Sequence, residues 1–434
     1  TRGGRSSGQG VKLLYIRDYL YHHATREHPQ NAKAIKKFLA QHNIEASEKT
    51  IYNDIRQYIP APYNKWNIKI TVNGYPIEQL VPANTLLEAD TTRFWGTVEH
   101  KDLPWTTILS KPYSVTNGLQ DRHMAVWASH GRYYDFKTDA WRWQRPNLFN
   151  TCEDILTPSI VVPMLIPMLE NAGAIVFSPR ERDTQIHEVI VDNDRPTING
   201  AYREDNGANE WVDCGTGFAH WREFYRDTQN PFEEGTARVT NTQTSNQKAS
   251  TITWVPNIPQ DGKYAVYVSY KTLPTSVPDA VYTIVHQGVE TKVRVNQRMG
   301  GGTWIYLGHF PFDVDGEGKP VIELVNISTD AGSVVTADAV KVGGGMGNVA
   351  RKVEEGEPGL DYEYVESGYP RFTEAARYWM QWAGVPDSIY SPSNNVNDYT
   401  DDYKARGMWV NYMMGGSSML PNYKGLNIPI DLSL

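Results

Sequence analysis

The chain has 434 residues, of which 40% are hydrophobic and 21% charged. That composition is globular rather than disordered, has room for roughly two to four domains, and contains no apolar run long enough for a membrane-spanning helix. Two cysteines, Cys152 and Cys214, exclude a disulfide-built scaffold. The formal net charge of −8 hides an asymmetry: residues 1–57 hold ten Lys/Arg and five Asp/Glu, so they carry +5 and the remainder −13. Such a split implies two unlike partners or two unlike origins.

Residues 1–9 are Gly/Ser/Arg-rich and carry no element. The spacing of Leu13, Leu14, Ile16 and Leu20 predicts an amphipathic helix over 11–22. A second helix over 31–41 turns Ile35, Phe38 and Leu39 inward, and Ser47 is an N-cap for a third. In the third, Ile51 and Ile55 face inward and Lys49, Thr50, Tyr52, Asn53 and Arg56 face out. Three short helices with a basic, polar last one describe a helix-turn-helix. The stretches KLLYIRDYL and SEKTIYNDI resemble the amino-terminal DNA-binding region of WYL-type transcriptional regulators. The resemblance implies DNA as a partner, with Lys49, Thr50, Tyr52 and Asn53 as contacts. The family's wing and effector domain do not follow, and a charge of this size gives only weak, salt-sensitive binding.

Residues 58–64 read as a Pro-bearing linker, and the texture then changes. Residues 68–72 alternate as a strand ahead of the turn signal Asn73-Gly74. Ala125 to Ala128 form a buried strand that stops at Ser129-His130-Gly131. From Glu153 to Leu169 the apolar residues Ile155, Leu156, Ile160, Val161, Met164, Leu165, Met168 and Leu169 recur at helical spacing. Pro158, Pro163 and Pro167 predict a late start or a kink, and Gly173 a stop. Residues 174–177 form a second strand, followed by Arg180, Arg182 and Asp183. In such an α/β unit, sites lie at the carboxyl ends of strands. There, an imidazole (His130) and a carboxylate (Glu153) are normal zinc-ligand types, and a catalytic zinc needs three ligands plus water.

Residues 189–345 read as all-β, with strand-like runs such as KYAVYVSYK and TWIYLGHFPF separated by turn signals, which predicts a sandwich. In KYAVYVSY, Tyr264, Val266, Val268 and Tyr270 share one face and Ala265, Tyr267 and Ser269 the other. Sugar-binding modules use exposed aromatic faces and a few amide groups, so Trp211, Trp221, Tyr225, Asn296, Gln297 and Trp304 are candidates. After the insert, residues 370–383 predict an amphipathic helix ended by Gly384. Asp398, Asp401 and Asp402 lack the glycine and closing Glu of a calcium loop and are taken as surface. Residues 428–434 predict a strand returning to the α/β sheet.

The expected fold is therefore multidomain. A small all-α helix-turn-helix (1–57) and a linker (58–64) precede an α/β domain (65–188 and 346–434) interrupted by a β-sandwich (189–345). Three further resemblances give this meaning. SHG after a strand, Glu153 opening a helix that ends in ENAGA, and RERD look like the zinc-dependent N-acetylmuramoyl-L-alanine amidases. GGGTWIYLGHFPF with TADAVKVGGG resembles the golvesin C-terminal-like domain, regarded as carbohydrate-binding. TVNGYPIEQLVP, RFWG and SKPYSVTNGLQDRHMAVWASHGRYYD resemble secreted Bacteroidetes proteins labelled xanthan lyase, and the similarity continues to Leu434.

Together these imply a secreted zinc hydrolase acting on peptidoglycan or another polysaccharide, extracellular or periplasmic. His130 and Glu153 would hold zinc, with Arg180, Arg182, Asp183, Tyr133 and Tyr134 in the cleft. The amidase family's third ligand, a His, and its catalytic Glu come after the point where this chain stops, so a catalytically incomplete chain is expected. The alternatives are a polysaccharide lyase, with Tyr133 or Tyr134 beside His130 as base, and a non-catalytic glycan-binding protein. For residues 1–57 the alternative is a cytoplasmic DNA-binding regulator.

Overall fold

The computed structural model describes residues 8–23, 30–58, 71–72, 75–76, 102–115, 118–352, 364–417 and 420–434. The chain separates into two compact units, residues 1–99 and 100–434. Of the expected linker, Tyr58 is still helical and residues 59–64 lie outside the described residues.

The first unit holds three helices, Gly8–His23, Ala32–Gln41 and Glu48–Tyr58. Asn31 caps the second, its Oδ1 accepting the Ala34 N–H at 2.9 Å. Ser47 caps the third, its Oγ accepting the Thr50 N–H at 3.1 Å, as its residue type predicts. Ile16, Leu20, Ile35, Leu39 and Ile51 form the core. A 2.6 Å ion pair between Lys12 and Asp54 ties the first helix to the third. Leu14 does not face inward as expected but is 54% exposed, because two residues are roughly 200° around a helix and Ile16 already points to the core. Thr71–Val72 pairs antiparallel with Tyr75–Pro76, consistent with the expected hairpin; its turn, residues 73–74, lies outside the described residues.

The second unit is built on antiparallel sheets. One has six strands in the order Thr106–Ile108, Val289–Val295, Ala280–His286, Val321–Val325, Thr251–Pro256 and Gly200–Asp205. Another has four: Ile305–Phe312, Gly262–Val268, Val340–Val342 and Val189–Val191. A third joins Val212–Gly217, Gly235–Asn241 and Val334–Ala337. The edge strand Thr106–Ile108 comes from well before residue 189, so the sandwich is not confined to the expected insert.

The strand Gly262–Val268 shows why the sandwich is not free-standing. Tyr264, Val266 and Val268 enter the main core, which also holds Trp254 and Tyr282. Ala265 and Tyr267, on the other face, enter a second core with Trp304, Trp379 and Trp382. The cover for that face is the helix Ala376–Trp382, whose residues are all buried. It is therefore not amphipathic as expected. Gly384, at φ 77°, ends this segment as predicted.

The α/β part is a three-stranded parallel sheet in the order Ile430–Ser433, His123–Ala125, Ile175–Phe177. The expected return of the last strand is thus observed. The intervening helix starts at Glu153 and runs α to Ile160, π over Val161–Leu165, then α to Asn171. The π turn holds Pro163, whose ring would otherwise meet the carbonyl one α-turn back. Val161, Leu165, Ile166 and Leu169 pack on Met124, Val126 and Val176. Ile155, Leu156, Ile160, Met164 and Met168 are instead half or more exposed. Among the described residues, no helix is long and apolar enough to cross a membrane.

Asp398, Asp401 and Asp402, expected on the surface, are buried at the start of the helix Asp398–Met414. Each has partners that sequence spacing does not reveal. Asp398 accepts from Arg351 Nε at 2.7 Å, Asp401 from the Ser393 N–H at 2.6 Å, and Asp402 from the Ala376 N–H at 2.6 Å and Gln144 at 2.8 Å. Buried carboxylates persist only when paired in this way.

Candidate functional site

The strand His123–Ala125 delivers the chain to Ser129, at φ 53°, and then to His130. The expected zinc ligands do approach: His130 Nδ1 lies 3.6 Å from Glu153 Oε1. The same nitrogen is 3.5 Å from Asp154 Oδ1 and 3.0 Å from Ser129 Oγ. The other, Nε2, is 2.9 Å from Arg145 Nη2. A guanidinium can only donate, so Nε2 accepts and the neutral ring carries its proton on Nδ1. Burial, and then the Arg145 charge, hold His130 below its ordinary pKa of 6.5.

Both ring nitrogens are thus engaged. Arg145 occupies the position that a metal on Nε2 would take, and Arg406 anchors to the Ser129 carbonyl at 2.9 Å. Among the described residues, no three His, Cys, Asp or Glu side chains gather as a metal site. The residues present do not fit a zinc centre. Nor are Ser129, His130 and Asp154 a nucleophilic triad, because hydroxyl and carboxylate address the same ring nitrogen.

The remaining expected cleft residues are structural anchors. Arg180, 3% exposed, donates to the carbonyls of Ala128, His130, Phe372 and Glu374. Arg182 forms a bidentate pair with Glu170, at 2.7 and 3.0 Å, and stacks on Tyr306 at 3.8 Å. Asp183 accepts the Ala265 N–H at 2.7 Å. Tyr134 is 1% exposed, and its hydroxyl is pushed up to about 12 by burial. Tyr133 packs edge-on against Tyr399 at 5.5 Å.

A cavity of about 910 Å³ lies where Thr106–Ile108, Ile175–Phe177 and Ile305–Phe310 run past one another. Arg180 and Arg182 line it, whereas Asp183, Tyr133 and Tyr134 do not. Its arginines are committed to structure: Arg180 and Arg182 as above, and Arg294 to Thr107 at 3.1 Å.

A second cavity, about 530 Å³, is lined by Asp192, Arg195, Asn199, His220, Trp221 and Glu223 among others. Here Arg195 is half-buried and Asn199 and Glu223 are exposed. Trp221 is 51% exposed, with its indole edge fixed by Nε1–H donating to the Glu234 carbonyl at 3.0 Å. The Arg195 guanidinium lies 5.3 Å from the Trp221 ring centroid. Asp192 is 4% exposed, and both of its oxygens are closed to solvent. Burial, with Asp338 and Asp194 nearby, pushes its carboxyl well above the usual carboxylate range. Burial lowers the His220 pKa and so favours its neutral ring.

Of the expected sugar contacts, only Trp221 is open to solvent. Trp211, Trp304 and Tyr225 are core residues, at 3%, 5% and 0% exposure. Asn296 and Gln297 are fully buried and tie loops together, donating to the Leu103 and Thr336 carbonyls, each at 2.7 Å. Asp192, Arg195 and Asn199 were not legible as site residues, because no motif surrounds them. On the first unit, Lys49, Tyr52 and Asn53 are exposed on one helix face, while Thr50 turns its hydroxyl to Ser47 at 2.8 Å.

Residues 217–344 match the Golvesin C-terminal domain. A stretch of 128 residues is 31% identical to the xanthan lyase of Bacillus sp. (strain GL1), covering 26% of this chain and 14% of that protein. The chain thus spans only a small part of that relative's length. Among solved structures, a Paenibacillus xanthan lyase aligns at 23% identity and a TM-score of 0.27, over 36% of this chain and 13% of that one. A family 35 carbohydrate-binding module from Clostridium thermocellum aligns at 19% identity and a TM-score of 0.22, over 36% of this chain and 97% of that one.

Proposed function

We propose that the second unit binds polysaccharide, and that it does so at the Trp221 cavity of its β-sandwich. The observation that carries this reading is a half-exposed Trp, its edge fixed by a hydrogen bond to the Glu234 carbonyl, lining one cavity with Arg195 and Asn199. An indole face takes the apolar side of a pyranose, and fixed polar groups take its hydroxyls. The match to the Golvesin C-terminal domain and the partial identity to a xanthan lyase support a polysaccharide as the partner.

The finer expectation of a zinc amidase acting on peptidoglycan is not favoured by the His130 geometry. A lyase base at this place is left to Tyr133, which is half-buried. The His130 lone pair is held by Arg145, and the Tyr134 hydroxyl is buried and hard to ionise. For the first unit, the shared exposed face of Lys49, Tyr52 and Asn53 supports a separate contact with DNA.

The test is retardation of the full chain in native gels containing xanthan, polygalacturonate, β-glucan or peptidoglycan fragments. Retardation by at least one polymer, lost in Trp221→Ala, is expected. A chain retarded by none, or a Trp221→Ala variant retarded as strongly as the parent, would overturn the reading.

A further inference from the structure

The charge balance of the Trp221 cavity distinguishes between kinds of sugar. Two guanidinium groups line it. Arg222 is neutralised, its Nε donating to Glu234 at 2.8 Å. Arg195 is not. It donates to the His220 carbonyl at 2.8 Å, and among the described residues no carboxylate lies within ion-pairing distance of it. A guanidinium has five N–H donors, so most of its bonding capacity remains.

The other ionisable groups on the cavity do not cancel this charge. The Asp192 oxygens are shut away from the cavity surface, and burial lowers the His220 pKa and so favours its neutral ring. Glu223 is an exposed side chain, open to water, where its influence is screened. The cavity therefore presents one guanidinium without a carboxylate partner, lying over one face of a half-exposed indole. A planar guanidinium matches a carboxylate through two parallel hydrogen bonds, which a neutral hydroxymethyl group cannot reproduce.

We propose that this cavity selects carboxylate-bearing sugars, with the acid group on Arg195 and the sugar ring resting against Trp221. The Arg195 guanidinium, 5.3 Å from the indole centroid, is within reach of a carboxylate on a ring held there. This inference rests on the polysaccharide-binding reading and deepens it.

The test is calorimetric titration of the full chain with trimers of galacturonate and of glucuronate, each beside its methyl ester. The ester keeps the ring and removes the charge. At least one acid trimer is expected to bind about tenfold or more tightly than its ester, as a charge-assisted bidentate contact implies. Arg195→Gln should bring acid and ester to nearly equal affinity. Trp221→Ala should weaken both. Equal binding of acid and ester by the parent chain, or a preference that survives Arg195→Gln, would overturn the proposal. Trp221-dependent binding of neutral glucan alone would overturn acid selectivity and leave polysaccharide binding standing. Binding of no glycan at all would overturn both.

Discussion

Arg145 Nη2 lies 2.9 Å from His130 Nε2, and this contact fixes which ring nitrogen of the histidine carries the proton. Burial makes the largest contribution to its low pKa and Arg145 the next, against the opposing pull of Asp154 and Glu153. Arg145→Ala should therefore raise the His130 pKa and free its Nε2. An NMR titration of the imidazole resonances reads this directly. A midpoint that does not move would mean that the guanidinium is not where the structure puts it.

Trp304 and Trp221 should behave in opposite ways. Trp304 packs against Phe218 and Phe232, with ring centroids 4.7 and 5.3 Å away. Trp304→Ala should cost about 3–5 kcal/mol of stability in urea unfolding and leave glycan affinity of the folded protein unchanged. Trp221→Ala removes one hydrogen bond and little packing. It should cost about 1 kcal/mol or less and abolish binding. Reversal of the two results would place the platform in the core.

Lys341 and Glu181 pair at 2.9 Å with both side chains fully buried, and Tyr267 donates to the same carboxylate. Removing one partner strands the other charge, so Lys341→Met should cost about 3–5 kcal/mol. Arg203→Ala, which breaks the exposed pair with Asp205, should leave stability nearly unchanged. Equal losses in equilibrium denaturation would show that water reaches Lys341.

Glu374 is 2% exposed, and burial pushes its carboxyl up to about 7 against an ordinary value of 4.5. The folded state thus favours the protonated form. Its contribution to stability is fully present below about 4.5 and is lost as pH rises to about 7. Glu374→Gln should flatten the decline in stability across that window. Melting temperatures measured from pH 4 to 8 check this, and identical slopes in parent and variant would refute it.

For the first unit, Lys49 is exposed on the helix face proposed above to contact DNA. Lys49→Ala should weaken binding of duplex DNA equally across sequences and reduce the salt slope by about 1. Filter binding of the full chain at several salt concentrations measures both. No salt-dependent binding by the parent would remove DNA as a partner.

Much of the fold was legible where the signal is local. Ser47 caps its helix because a short hydroxyl side chain reaches the next amides, whatever the tertiary context. The alternation of Tyr264, Val266 and Val268 against Ala265 and Tyr267 follows from the strand's period of two. It could not show that both sets are buried, since that requires the helix Ala376–Trp382 from over a hundred residues later. The Trp residues were equally ambiguous. A Trp in a strand reads alike as core or platform, and only neighbours separate Trp304 from Trp221.

By itself, then, the sequence determined local features such as the Ser47 cap, the Gly384 stop and the strand at Ile430–Ser433, because backbone geometry depends on nearby residues. Only the tertiary structure decided which charges remain available. Arg180, Arg182, Asp398 and Asp402 are all engaged by groups far away in the chain, and Arg195 keeps free donors because no carboxylate was folded against it. The physical reason is that desolvation and pairing depend on what is near in space, and those terms decide whether a polar side chain supports the fold or meets a ligand.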